Sequence, residues 1–450
     1  MFDLDPVLMS RLITAMTLIF HIIFATLGVG VPLLICIAEF IGVKKNDQHY
    51  RMLARRWTRG FVITVAVGVV TGTAIGLQLS LVWPNFMQLA GNVISLPLFM
   101  EVFAFFFEAI FLGIYLYTWD RFKNPLTHWW FSLPIVIGGA LSAFFITTVN
   151  AFMNTPDGFT MENGQFTSIN PIEAMFNPAT TSKVIHVLSS SYLTVAAILA
   201  TIAAFSLLKK KQSEYHKKAL KLTMTLVFVF SILTALAGDI SAKFLAEHQP
   251  EKLAAAEWHF ETEEGADLVL FGWLNNEDNP VGAIRLPGLL SFLAHGDFES
   301  EVTGLNEIPE DERPPLWVHY MFDLMVMIGM FLIAVSLLYI IVSRIKKWDQ
   351  HNKWMVRLLF LSGPLAMLST EFGWVYAEVG RQPWILRGYM TVDEAATTSP
   401  QIGLMFVFFL ALYVVLGTLC VIVLRKLFKG KPAEEELEKR YPTIEEGDKE

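Results

Sequence analysis

Apolar residues along this chain fall in long unbroken runs, separated by short charged stretches. A helix needs about 20 apolar residues to span a bilayer. Runs of that order cover roughly 14–42, 58–83, 94–119, 129–153, 184–208, 220–246, 317–343, 355–378 and 402–427. Helix is the expected form, because in lipid every backbone donor and acceptor must be satisfied within its own segment. The pattern predicts an all-α integral membrane protein of about nine transmembrane helices in bundles. Six spans lie within 1–246, an extramembrane segment within 247–316, three spans within 317–430, and a tail over 431–450.

The polar stretches alternate in charge. Lys44, Lys45, Arg51, Arg55, Arg56 and Arg59 follow the first run, Arg121 and Lys123 the third, and KKKQSEYHKK the fifth. RIKKWDQHNKW follows the seventh and RKLFKGK the ninth. An excess of Lys and Arg marks cytoplasmic loops, so the N-terminus is expected outside and the C-terminus in the cytoplasm. The segment Glu247–Arg313 falls on the outer side, with sixteen Asp or Glu and three Lys or Arg. It also holds LVLFGWL and RLPGLLSFL, which a solvated spacer does not need, so it reads as a small folded element. The tail KPAEEELEKRYPTIEEGDKE reads as solvated or disordered.

Composition agrees: 54% of residues are hydrophobic and 17% charged, and mean hydropathy is +0.48. A soluble domain has about 45–50% apolar residues. The two cysteines, Cys36 and Cys420, lie in apolar runs and imply neither a disulfide framework nor a Cys-rich metal site. Asp3 and Asp5 stand where a signal peptide would be basic, so the first span is expected to be retained. Nothing points to nucleic acid.

Ionisable residues inside spans are costly and are functional candidates. Here they are His21, His186, Glu39, Glu101, Glu108, Glu371 and Glu378, with Asp239 and Asp323 near outer helix ends. The predicted orientation places His21, Glu101, His186, Met325 and Glu378, from five spans, at similar height near the outer face. Glu101 and Glu108 are seven apart, so they share one helix face with about 10 Å between them in height, Glu108 the deeper. Glu371, Trp374 and Glu378 also share a face.

Each has an ordinary reading. A membrane histidine more often bonds across helices than ligates a metal, and a membrane methionine usually fills a gap. Glu101 and Glu108 serve either a proton path or a structural role. Glu378 is either buried and employed or an interfacial ion pair with Arg381. A proton-coupled transporter using Glu101, Glu108 and Glu371 is the reading from a different class.

Specific motifs narrow this. GRQPW, Gly380–Trp384, follows Glu378. FHIIFATLGVG carries His21, LFMEVFAFFFEAIFLGIYLY carries Glu101 and Glu108, and SKVIHVLSSSYL carries His186. EKLAAAEWHFET lies in the outer segment. With these the chain resembles subunit I of cytochrome bd, the bacterial quinol oxidase, over nearly its whole length to about Gly430.

The resemblance implies the following. His186 and Met325 look like the axial ligands of a low-spin haem b, a pair that fills both axial positions and suits electron transfer. His21 and Glu378 look like the proximal ligands of a high-spin haem b and haem d, with either assignment open. Arg381 looks like a propionate partner, Glu101 a distal carboxylate, Glu108 a proton donor and Trp374 the aromatic residue between haems. Lys252 and Glu257 look like quinol-contacting residues in the outer loop, away in sequence from the haem ligands. The implied activity oxidises menaquinol or ubiquinol at the outer face and reduces O2 to water with cytoplasmic protons, building a proton motive force without pumping. A bd-type enzyme lacking haem d, insensitive to cyanide, would carry the same ligands. The implied partners are a second membrane subunit and a single-span small subunit, in the bacterial cytoplasmic membrane. Two features depart from familiar members: Asp323 stands where they have an arginine, two residues before Met325, and the outer loop is short.

Overall fold

The computed structural model describes residues 5–209, 213–275, 279–345, 349–430 and 432–440. Asp3, Lys210, Lys211, Glu277, Asp278, Lys346, Lys347, Lys431 and the tail from 441 onward, which entered the charge reading above, lie outside these residues.

Among the described residues, nine helical stretches are long and apolar enough to cross a membrane. The helices are α1 Pro6–Lys44, α2 Gln48–Val82, α3 Pro84–Thr118, α4 Pro125–Trp129, α5 Ser132–Asn154, α6 Pro171–Met175, α7 Thr180–Leu208, α8 Glu214–His248 and α9 Pro250–Glu257. They continue as α10 Leu289–His295, α11 Val318–Arg344, α12 Lys353–Phe360, α13 Ser362–Val379, α14 Val392–Ala395, α15 Ile402–Lys429 and α16 Ala433–Arg440. All nine expected spans are present, and most extend beyond the apolar run at one or both ends. Local chemistry explains the extensions. Asp5 caps α1 by accepting from the Val7 and Leu8 amides, with Pro6 at the first turn. Asp47 caps α2, so Arg51, Arg55, Arg56 and Arg59 ride on its first turns rather than in a loop.

The eighth span is broken at Leu361. Pro364 has no amide hydrogen, which frees the Phe360 carbonyl. The Thr201 hydroxyl of α7 donates to that carbonyl at 2.9 Å and accepts from the Gly363 amide at 2.8 Å. The break is thereby tied to α7.

The outer segment is a folded element, as its apolar stretches predicted. Short antiparallel pairs join Glu263–Glu264 to Glu301–Val302, Leu268–Leu270 to Ile284–Leu286, and Trp273–Leu274 to Pro280–Val281. They pack with α9 and α10 over Leu253, Ala266, Leu290 and Val302. The tail differs from expectation: 433–440 is helical. Glu436 pairs with both Arg56 and Arg59 of α2, because two guanidinium groups on successive turns present a ready site for one carboxylate.

Two large cores hold the membrane part. One unites the inner portions of α1, α2, α7, α8, α11 and α12 around Leu34, Leu53, Leu220 and Tyr339. The other joins the outer portions of α1, α2, α3 and α15 around Ile13, Phe86 and Ile94. Close approach of α1 to α7 requires Gly30, where a Cβ would collide with Val195 and lie 2.9 Å from the Ser191 carbonyl. Gly30→Ala is expected to destabilise by about 1–3 kcal/mol through overpacking. A lowered thermal midpoint of the purified membrane protein checks this.

Candidate functional site

α7 and α11 each pack against both α8 and α13, forming a four-helix bundle. Its inner part is filled by the large core, which reaches Leu193, Val227, Ile328 and Ala366. Its outer end is closed by Ala254, Ala255, Ala256, Val318 and Tyr376. Between lies a layer holding His186, Gly238, Met325, Glu371 and Trp374, none of which belongs to a hydrophobic cluster. His186 Nδ1 is buried without a hydrogen-bond partner, as are both Glu371 carboxylate oxygens. A Cβ at Gly238 of α8 would stand 3.6 Å from His186 Cε1, and one at Gly373 of α13 would stand 2.9 Å from Met325 Sδ. Both candidate ligands therefore face backbone-only positions.

His21 lies in the neighbouring group of helices. Its Nδ1 is 2.8 Å from the Thr71 hydroxyl, and that hydroxyl also lies within donating distance of the Val67 and Gly68 carbonyls. A hydroxyl that donates to a carbonyl accepts from the ring, which puts the proton on Nδ1 and leaves Nε2 as the free donor to a metal. Gly72 faces this ring too, its Cβ position 3.4 Å from His21 Cε1.

Glu378 ends the eighth span in a dense polar cluster. Its Oε1 accepts from Asn150 Nδ2 at 2.5 Å and its Oε2 from Arg381 Nη2 at 2.8 Å. Asn150 Oδ1 in turn accepts from Lys183 Nζ at 3.0 Å. Arg381 Nη1 is buried without an acceptor. Glu378 is thus engaged with Arg381, and the guanidinium keeps one donor free for an anionic group.

Lys252, distant in sequence from the candidate ligands, belongs to this cluster in space. It lies on α9, is 3% exposed, and donates to the Ala377 carbonyl at 2.8 Å and to Asn154 Oδ1 at 3.3 Å. Gly380 admits its stem, since a Cβ there would be 3.0 Å from Lys252 Cε. Burial lowers the Lys252 ammonium to about 7; Arg381 adds repulsion, opposed by Glu378. Sequence separation concealed the contact because α9 folds back over the end of α13.

Glu257 is also buried, its Oε2 without a partner. Burial and the nearby Asp323 push its carboxyl well above the usual range. Beside it Trp258, in a left-handed conformation (φ 48°), ends α9 and stacks on His319 with ring centroids 3.9 Å apart. His319 Nδ1 donates to the Ala256 carbonyl at 2.6 Å. Asp323 Oδ2 accepts from the Phe271 amide at 2.7 Å and lies 3.3 Å from His319 Nε2. Asp323 therefore ties α11 to the outer element. His319, which the sequence did not single out, is the pivot of this seam.

On α3, Glu101 Oε1 accepts from the Ser142 hydroxyl at 2.9 Å. Glu108 is 3% exposed and its Oε1 has no partner. Gly138 and Gly139 of α5 make room for it, with Cβ positions 2.8 Å from Glu108 Cβ and 3.4 Å from Oε2.

The surroundings fit haem. Imidazole and thioether donors lie against glycines. One imidazole has an unmet ring nitrogen, another has its tautomer fixed for Nε2 ligation, and an unmet guanidinium donor suits a propionate. Such a chain is a polytopic helical membrane protein built to hold redox cofactors. Residues 9–432 match the family model described as cytochrome bd terminal oxidase subunit I. The chain is 60% identical to the bd oxidase from Geobacillus thermodenitrificans, with a TM-score of 0.92, covering 96% of this chain and 100% of that one. It is 42% identical to a Bacillus subtilis (strain 168) protein provisionally named cytochrome bd menaquinol oxidase subunit I, over 96% of this chain and 99% of that protein. It is 26% identical to the cytochrome bd-II ubiquinol oxidase subunit 1 of Escherichia coli (strain K12), over 98% and 100%. The chain belongs to the cytochrome bd terminal oxidase subunit I family. It is a multi-pass membrane subunit of a haem-containing quinol oxidase and works with a partner subunit. The transporter reading is set aside.

His319→Ala removes both the bond to Ala256 and the stack on Trp258. A cost of about 1–3 kcal/mol to the docking of α9 follows. Faster protease cleavage within residues 260–313 at unchanged detergent and temperature is the expected outcome.

Proposed function

We propose that the chain binds a low-spin haem b through His186 and Met325, and a high-spin haem b and haem d through His21 and Glu378. The observation that supports this reading is a set of buried groups without protein partners: His186 Nδ1 and Arg381 Nη1 are unmet, and the bond of His21 Nδ1 to Thr71 leaves its Nε2 to a metal. Bound haem supplies the one-electron carriers and the oxygen-binding iron that side chains lack. The rest is the work of this chain's residues. Arg381 offers its free Nη1 to a propionate, and Trp374 fills the layer between ligand sets. Glu101 and Glu108 hold protons bound for the oxygen site, drawn from the cytoplasmic side, with the N-terminus outside. Such an enzyme separates charge without pumping and works in the bacterial cytoplasmic membrane, with a single-span small subunit beside the larger partner. A spectrum of extracted haem separates the haem d enzyme from one carrying haem b in its place.

Quinol is oxidised beside α9. Glu257 has a buried, unpartnered oxygen, and its raised proton affinity suits it to take the proton that leaves the quinol oxygen. Lys252, held near neutrality, orients the ring while its contact with Ala377 links this site to the Glu378 cluster.

Met325→Leu removes the thioether at similar volume. The reduced low-spin band should fall as that haem becomes five-coordinate; an unchanged band would show that another residue ligates.

Glu257→Ala should abolish oxygen uptake with quinol and leave it near normal with a donor that reduces the haems directly. Lys252→Ala should impair quinol oxidation and also shift the haem spectrum, because its amine touches the Glu378 cluster. Oxygen-electrode rates with the two donors, beside the spectra, check both. Equal loss with both donors in Glu257→Ala would place the defect at the haems instead.

A further inference from the structure

At the opposite, inner end of α1 and α3 lies a buried polar group that the reading above does not use. Glu39 of α1 is 3% exposed, His128 of α4 2%, and Tyr115 of α3 is fully buried. His128 Nε2 faces the Tyr115 carbonyl at 2.9 Å, and that oxygen can only accept, so Nε2 carries a proton. His128 Nδ1 faces Glu39 Oε1 at 2.5 Å, and Glu39 Oε2 accepts from the Tyr115 hydroxyl at 2.7 Å. A neutral ring beside an ionised carboxylate would put two lone pairs against each other across that short contact. One additional proton therefore lies between Nδ1 and Oε1. The pair holds a single mobile proton, stacked under Tyr115 with ring centroids 4.3 Å apart.

The helices lead from this pair to Glu108. Glu101, Glu108 and Tyr115 recur at seven-residue steps on α3 and so share a face. Along the seam of α1, α3 and α5, Pro32 lies between Glu39 and Gly28. Pro32 has no amide hydrogen, so the Gly28 carbonyl lacks its helical donor. That carbonyl and Glu108 Oε2 both approach the same point, the Cβ position of Gly139, at 3.3 and 3.4 Å. Between the two layers Pro32, Ile35, Leu112, Tyr115, Ser132 and Ile135 pack with Thr58 and Phe61 of α2 and leave no room for a water molecule, so passage requires these side chains to move.

We propose that Glu39 and His128 form a proton-relay site at the cytoplasmic end of the chain, which feeds Glu108 along the α1/α3/α5 seam past the unpaired Gly28 carbonyl. The proposal rests on the reading of Glu108 as a proton carrier. In each passage the shared proton leaves the pair and is delivered to Glu108. A proton from cytoplasmic water then restores the Nδ1–Oε1 bridge, so no net charge accumulates on the pair and no electron moves.

The test compares Glu39→Gln, Glu39→Asp and Glu108→Gln in the complete oxidase reconstituted into vesicles. The amide of Glu39→Gln can donate to His128 Nδ1 and accept from the Tyr115 hydroxyl, so it keeps the hydrogen bonds and removes the mobile proton. Expected are an unchanged haem spectrum, quinol-driven oxygen uptake reduced at least about tenfold with slowed membrane-potential build-up, and recovery of most of the rate in Glu39→Asp. Wild-type turnover in Glu39→Gln with slow turnover in Glu108→Gln would overturn the relay and leave Glu108 in place. Wild-type turnover in both would overturn both readings. Glu39→Asp as slow as Glu39→Gln, or loss of haem in Glu39→Gln, would show that the pair anchors the helices instead.

Discussion

Withdrawing an ionisable side chain from water is costly unless a partner or a task compensates it, and much of this structure follows from that constraint. Arg381 is satisfied on one side by Glu378 and left open on the other. Glu108, Glu257 and Glu371 keep carboxylate oxygens buried without partners. Burial without compensation at so many positions cannot be maintained for stability alone. These, Glu371 apart, are the positions that the proposed function assigns to a cofactor, a substrate or a moving proton.

Helix proximity does the complementary work. Where α1 meets α7, glycine lets the backbones touch at Gly30. Where α2, α8 and α13 face His21, His186 and Met325, glycine lets those side chains lie directly against the neighbouring backbone. The same residue type thus serves both the core and the layer that holds the candidate ligands.

The two ends of the chain divide the chemistry. One end gathers His186, Met325, the Glu378 cluster and α9, and there Lys252 reaches from α9 to the Ala377 carbonyl beside Glu378. In the function proposed above, protons take the longer route, past the carboxylates of α3 and the Glu39–His128 pair, and charge separation depends on where groups sit in depth.

Much of this was legible in sequence. Run length and the demands of lipid determined nine spans, since a helix in a bilayer has no alternative partner for its backbone. Charged loops implied the orientation. His21, His186, Glu101, Glu108 and Glu378 stood out because an ionisable residue in an apolar run has few innocent explanations. Contacts between distant segments were not legible, because hydropathy carries no information on which helix faces which. Lys252 seemed to belong to a loop until α9 folded back over Ala377, and Asp323 seemed an oddity until it met Phe271 and His319. The tail passed as solvated until Glu436 reached Arg56 and Arg59. Sequence by itself determined which residues lie in helices long and apolar enough to cross a membrane; only tertiary packing decided which of them are left without a partner, because satisfaction of a buried donor or acceptor is a property of its neighbours.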